Sequence, residues 1–109
     1  MGWTCGNGLA SSRDVARFYY DLLGPEKKIV SEESAKIMQN FTTIDKGWAE
    51  GLLQYGGGLF PSTAGSKYTH TPPLNDSATY IGHGGHTYGF QSAQGFFPAL
   101  NVSMSINTN

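Results

Sequence analysis

The stretch Gly82-His83-Gly84-Gly85-His86-Thr87-Tyr88-Gly89-Phe90 concentrates the residues best equipped for chemistry. Three chemistries and one purely structural reading fit such a pattern to different degrees. A phosphate cradle needs a glycine-rich turn that opens a helix, usually with a lysine. Here a strand pattern follows and no lysine is present. A metal site could draw on His83, His86 and His70, since imidazole is a common ligand. No Cys, Asp or Glu joins them nearby, and on a strand positions 83 and 86 point to opposite faces. A third possibility is a strand edge lining a cleft. Small residues there let a ligand lie against the backbone, and His83 supplies a hydrogen bond. The fourth is a glycine-rich turn with two exposed histidines.

Other nucleophiles are poorly supported. Cys5 is the single cysteine, so no internal disulfide exists. No base or helix terminus is evident to activate it. Ser92 lies between Gly89 and Gly95, but the spacing does not make a Gly-x-Ser-x-Gly elbow. Paired carboxylates for glycosidase chemistry are not evident among the eight acidic residues.

These residues need elements to hold them. A helix is expected over Ser12–Leu23. Ser11 and Asp14 form a capping-box-like pair, and Val15, Phe18, Tyr19, Leu22 and Leu23 make an apolar stripe. Gly24-Pro25 ends it. A second helix is expected over Glu32–Asn40, capped by Ser31, with two glutamates in its positive first turn. Ala35, Met38, Ile37 and Phe41 would be its buried side. Leu52–Phe60 is a strand candidate broken by Gly56–Gly58, and Pro61–Asp76 reads as a loop. Tyr80–Gly85, Phe90–Phe97 and Val102–Asn107 read as strands, the last alternating apolar and polar with period two. Pro98–Asn101 joins the final pair as a hairpin. The expected fold class is α+β, with two N-terminal helices followed by a three-stranded antiparallel sheet.

Composition narrows the function classes. The chain has 109 residues, room for one domain. Charged residues are 14% and the net charge is −1, against about 25% charged residues in typical domains. No basic footprint points to nucleic acid. No apolar run is long enough to span a membrane, and no charged-then-apolar leader is visible. The sheet needs cover and leaves an open edge. A missing N-terminal portion or an oligomer partner is therefore expected to cover part of it.

The His83-Gly84-Gly85 segment resembles the third active-site box, Lys/His-x-Gly, of the serine β-lactamase and penicillin-binding-protein superfamily. The likeness is to the class C β-lactamase-related branch. It continues through Thr87, Gly89 and Phe90, then a strand, Pro98 at the hairpin, and a last strand ending in Asn109. Upstream, Ser11-Ser12-x-Asp14-x-Ala16-Arg17-Phe18 resembles a helix of that branch, and Tyr55-Gly56-Gly57-Gly58-Leu59 resembles its Tyr-Gly-Leu-Gly-Trp strand.

The resemblance implies a partial β-lactamase/DD-peptidase-like fold and acyl-serine hydrolysis of an ester, amide or β-lactam, with no cofactor. It implies that His83 hydrogen-bonds the catalytic hydroxyl network, and that the His86 main-chain amide gives half of an oxyanion hole. Gly84 and Gly85 would then lie along the acyl substrate, and Asn109 would assist recognition of its carboxylate.

Two boxes are absent. No serine is followed three residues on by lysine, and no tyrosine begins Tyr-x-Asn. Ser105-Ile106-Asn107 matches the Ser-x-Asn variant only in form. The chain is thus expected to be one C-terminal segment, residues 1–109, of such a domain, and inactive alone. The alternative is a stand-alone, non-catalytic binding module that uses the open sheet edge.

Overall fold

A computed structural model describes residues 8–47, 50–64, 73–87 and 89–109. Helix α1 spans Ser12–Leu23 and α2 spans Glu32–Met38. Six strands follow: β1 Thr42–Thr43, β2 Gln54–Tyr55, β3 Phe60–Thr63, β4 Thr79–Thr87, β5 Phe90–Phe97 and β6 Val102–Thr108. β1 and β2 form a small antiparallel ribbon. The main sheet has four strands in the order β3-β4-β5-β6, all antiparallel.

The four-stranded sheet overturns the expectation of three strands. The added strand, β3, falls partly in the segment read as a loop. Pro61 cannot donate to a ladder, and Ser62 and Thr63 are polar, so the segment carries little strand signal. At a sheet edge, however, proline is tolerated. Pro61 pairs with Ile81 on the outer strand of the sheet. The candidate strand Leu52–Phe60 is likewise divided. The turn at Gly56–Gly58 separates β2 from β3, and Gly58 takes a φ of 77° that favours glycine.

Helix α1 begins as its cap dictates. The Ser11 hydroxyl accepts a hydrogen bond from the Asp14 N–H at 3.1 Å and donates to the Asp14 carboxylate at 2.7 Å. Gly24 closes it by donating to the Tyr20 carbonyl at 2.8 Å. The Ser31 hydroxyl caps α2 through the Ser34 N–H at 3.1 Å. α2 ends at Met38, two residues short of Asn40, because Gln39 leaves helical geometry.

α1 packs on β5 and β6. Tyr19, Leu22 and Leu23 meet Leu59, Ile81 and Phe96 in the core, and Val15, Tyr20, Val30, Met38 and Phe41 pack against it. Phe18 is exposed, so the α1 stripe is narrower than its sequence suggests. Ile37 of α2 is also exposed, at 68%, whereas Ala35 is fully buried. On β6, Val102 and Ile106 are exposed while Ser103 and Ser105 are half-buried.

The tightest spot is where β4 meets β5. Gly82 faces Gly95 across the ladder. A side chain at Gly82 would strike the Gln94 carbonyl, and one at Gly95 would sit 2.6 Å from the Ile81 carbonyl and 2.6 Å from the Tyr80 ring. Tyr80 lies over Gly95 and pairs with the Phe97 ring at 5.5 Å.

Two outcomes follow. Gly95→Ala is expected to destabilise the chain by about 1–3 kcal/mol through overpacking, read as a lower urea midpoint; an unchanged midpoint would contradict this packing. Burial is the main cause that raises the Tyr19 hydroxyl above its ordinary value of 10.0, with nearby Tyr55 and Tyr80 adding to it. The unfolded chain therefore loses this proton first, and stability falls as pH rises above about 10. Tyr19→Phe should flatten that alkaline decline in a pH series of urea midpoints. An equally steep decline in the variant would contradict the assignment.

Candidate functional site

β4 has two halves with different surroundings. Its first half, Thr79–Gly82, is paired on one side with β3 and on the other with β5. Its second half, His83–Thr87, pairs with β5 alone among the described strands. The ladder with β3 stops at Phe60 opposite Gly82, because the chain leading into β3 turns through Gly56–Gly58. Within this turn the Gly56 N–H donates to the Leu59 carbonyl at 2.8 Å, and the Gly57 N–H donates to the Met38 carbonyl at 2.8 Å. The second bond satisfies a carbonyl at the end of α2 that has no helical partner. It ties the turn, and Tyr55 just before it, to the rest of the fold.

This open half of β4 also lines a cavity of about 710 Å³ that extends across β5 and β6 to the start of α1. His83, Gly84, Gly85 and His86 line it from β4, Gln91, Ser92 and Gln94 from β5, and Asn107 and Thr108 from β6. Gly8–Ala10 and Val15, at the start of α1, line it as well. No Asp, Glu, Lys or Arg is among these lining residues. Leu9, Ala10, Val15 and Phe90 make most of the lining apolar, with amides, hydroxyls and imidazoles set among them, which suits an uncharged, partly apolar ligand.

His83 is the most constrained polar group in this cleft. It is half-buried, and both ring nitrogens have partners. Nδ1 lies 2.6 Å from the Gly84 carbonyl oxygen, and Nε2 lies 2.9 Å from the Tyr55 hydroxyl. The Phe60 ring meets the imidazole edge-on at 5.2 Å, and Tyr55 and Phe60 stack at 6.2 Å. A carbonyl can only accept, so Nδ1 carries the proton in this arrangement. In the neutral ring Nε2 is then the acceptor, and Tyr55 donates to it.

The other expected site residues are distributed unevenly. Gly84 and Gly85 flank His83 along the open half of β4. A side chain at Gly85 would meet the Ser92 hydroxyl at 2.9 Å. His86 pairs with Gln91 and its side chain is exposed, one position out of phase with Gly85. Asn109 lies one residue past β6 and is exposed; Asn107 and Thr108 are the β6 residues at the cavity. Asn107 also donates to the Ser12 hydroxyl at 2.7 Å, linking β6 to the start of α1.

His70, an optional third ligand of the histidine metal hypothesis, lies outside the described residues, as does Cys5. Among the described residues no group of three or more His, Cys, Asp or Glu could hold a metal ion, and no helix is long and apolar enough to cross a membrane.

Sequence reasoning did not assign a role to Tyr55, Phe60, Gln94 or Asn107. Tyr55 stood out only as part of a glycine-containing strand motif. Its contact with His83 spans 28 positions, and nothing in local periodicity encodes it. Comparison with protein families, curated proteins and solved structures finds no match for this chain.

Proposed function

We propose that this chain is a segment of a β-lactamase-related serine hydrolase, and that it contributes one wall of the acyl-binding cleft. The observation that carries this reading is the position of His83-Gly84-Gly85. They occupy the half of β4 that has one edge unpaired among the described strands, and they line the cavity. An extended acyl chain could add to this edge as a short antiparallel strand, since glycine leaves the backbone accessible there. The His86 main-chain N–H lies further along the same strand, where the resemblance assigns half of an oxyanion hole. Preorganised donors of that kind stabilise the charge developing on a tetrahedral intermediate.

His83 suits a supporting role in such a cleft. As the Nδ1–H tautomer it offers a lone pair at Nε2 to a hydroxyl or N–H. It does not supply the nucleophile. No Ser-x-x-Lys pair occurs in the chain, so acyl transfer awaits a serine activated by another segment. The uncharged lining favours neutral acyl groups, esters or amides, over ligands that need a cation to hold a carboxylate.

A second reading is a non-catalytic module that docks an extended peptide on the same edge. It is favoured by the internal satisfaction of both His83 nitrogens and by the lack of an activated nucleophile.

Both readings require ligand on β4, and they part at catalysis. The purified chain should not turn over nitrocefin or p-nitrophenyl butyrate above the rate of its His83→Ala variant. Titration with N-acetyl-glycyl-glycine amide, followed by amide NMR, should shift the signals of His83–Thr87 and Asn107. Adding a separately expressed Ser-x-x-Lys-bearing segment of the same superfamily should produce ester hydrolysis that depends on His83. Ligand shifts without any such gain would favour the docking module. Unshifted β4 amides, or turnover by the chain alone that survives His83→Ala, would overturn the hydrolase reading.

A further inference from the structure

We propose that Gln94 forms a carboxamide subsite on the sheet floor of the cavity, where it recognises a primary amide of the ligand through a pair of hydrogen bonds. The subsite lies one strand in from the open edge of β4. It names the ligand class of the cleft and rests on the reading above only in placing a ligand there.

The strand register builds the subsite. Gln94 of β5 pairs with His83 on β4 and with Ser105 on β6. Directly paired residues share a face, so these three side chains stand in one row. The next row, about 7 Å along the strands, is Gly85, Ser92 and Asn107. Most of these groups are already engaged. His83 has the Gly84 carbonyl and the Tyr55 hydroxyl at its two nitrogens. Asn107 donates to the Ser12 hydroxyl. The Ser105 hydroxyl is buried, and Ser105 does not line the cavity. Gln94 is half-buried and lines the cavity, and no described residue hydrogen-bonds its carboxamide. Its hydrogen-bonding capacity is left for a ligand.

That capacity is selective. A carboxamide sets a carbonyl acceptor beside two N–H donors. A primary amide of the ligand carries the same set, with one N–H on the side of its carbonyl. The two amides therefore close a ring of two hydrogen bonds, each donating once. In a trans secondary amide the N–H and the carbonyl point in opposite directions, so only one bond forms. An ester has no N–H and also forms one. A carboxylate would set an oxygen against the Gln94 carbonyl, and no Lys or Arg is among the described lining residues to hold it. Ser92 lines the cavity too, but its hydroxyl brings one hydrogen, which an ester meets as well as an amide. Leu9, Ala10 and Val15 line the same cavity and suit an apolar body behind the amide.

The test is equilibrium binding to the purified chain, with no turnover required. Benzamide, N-methylbenzamide and methyl benzoate share a ring and differ at the polar group. Dissociation constants are read from ¹H–¹⁵N spectra, in which the Gln94 side-chain NH₂ signals report directly. Benzamide should bind about five-fold tighter than the other two, the gain expected for one more neutral hydrogen bond, and it should shift the Gln94 NH₂ signals. Gln94→Met keeps the length of the side chain and should bring the preference to about one. Ser92→Ala should leave it near the wild-type value. Equal affinities in the wild type would overturn the proposal. So would no benzamide binding up to its solubility limit, or Gln94 NH₂ signals unmoved at saturation. A preference that survives Gln94→Met, or is lost equally in Ser92→Ala, would overturn it as well. The wild-type comparison decides the matter even where Gln94→Met fails to fold. If N-acetyl-glycyl-glycine amide shifts the β4 amides while benzamide shows no preference, the subsite fails and the hydrolase reading stands.

Discussion

Gly82 and Gly95 face each other across β4 and β5, and neither has room for a side chain. Much of the molecule is arranged around this close approach. On one side of it Tyr80 lies over Gly95 and pairs with Phe97. The neighbouring residues Ile81 and Phe96 turn to the opposite face and join Tyr19, Leu22 and Leu23 of α1. One glycine pair therefore lets the central strands approach closely, while its neighbours anchor them to the helix. His83 is the next residue along β4. Its position is set by a buried pairing, although it opens on a cavity itself.

The site arises where that anchoring stops. β3 accompanies β4 only as far as Gly82, since the chain entering β3 comes from the turn at Gly56–Gly58. Beyond Gly82 one edge of β4 is without a strand partner among the described residues. The same turn that ends the ladder brings Tyr55 back to His83. The open edge and the restrained imidazole thus share one cause. Sites gain precision when rigid elements hold their polar groups and a second layer of hydrogen bonds fixes their orientation. Here the glycine pair supplies the rigid element, and Tyr55 with the Gly84 carbonyl supplies the second layer.

What could be read from sequence follows from how local each cause is. α1 was legible because Ser11, its apolar spacing and Gly24-Pro25 act within a few residues of one another. The β5–β6 hairpin was legible for the same reason, through the alternation of Val102–Asn107 and the turn at Pro98–Asn101. β3 was hidden because its residues carry edge-strand features, a proline and two polar side chains, that local propensity reads as loop. Ile37 and Phe18 fit helical stripes, yet both stay exposed, and a stripe alone does not say how wide its cover will be. At the site, glycine and histidine marked the right segment. The partner of His83 was not legible, because a hydroxyl 28 positions away becomes its neighbour only through the turn on Met38.

Native-state amide hydrogen exchange along β4 bears most directly on the claim that this strand is enclosed in its first half and open in its second. Slow exchange is expected for the inward amides of Thr79–Gly82, which have strands on both sides. Between His83 and Thr87, amides facing β5 should stay protected while those facing the open edge exchange orders of magnitude faster. Uniform protection from Thr79 through Thr87 would mean that the second edge is already occupied, and the account of this cleft would fail.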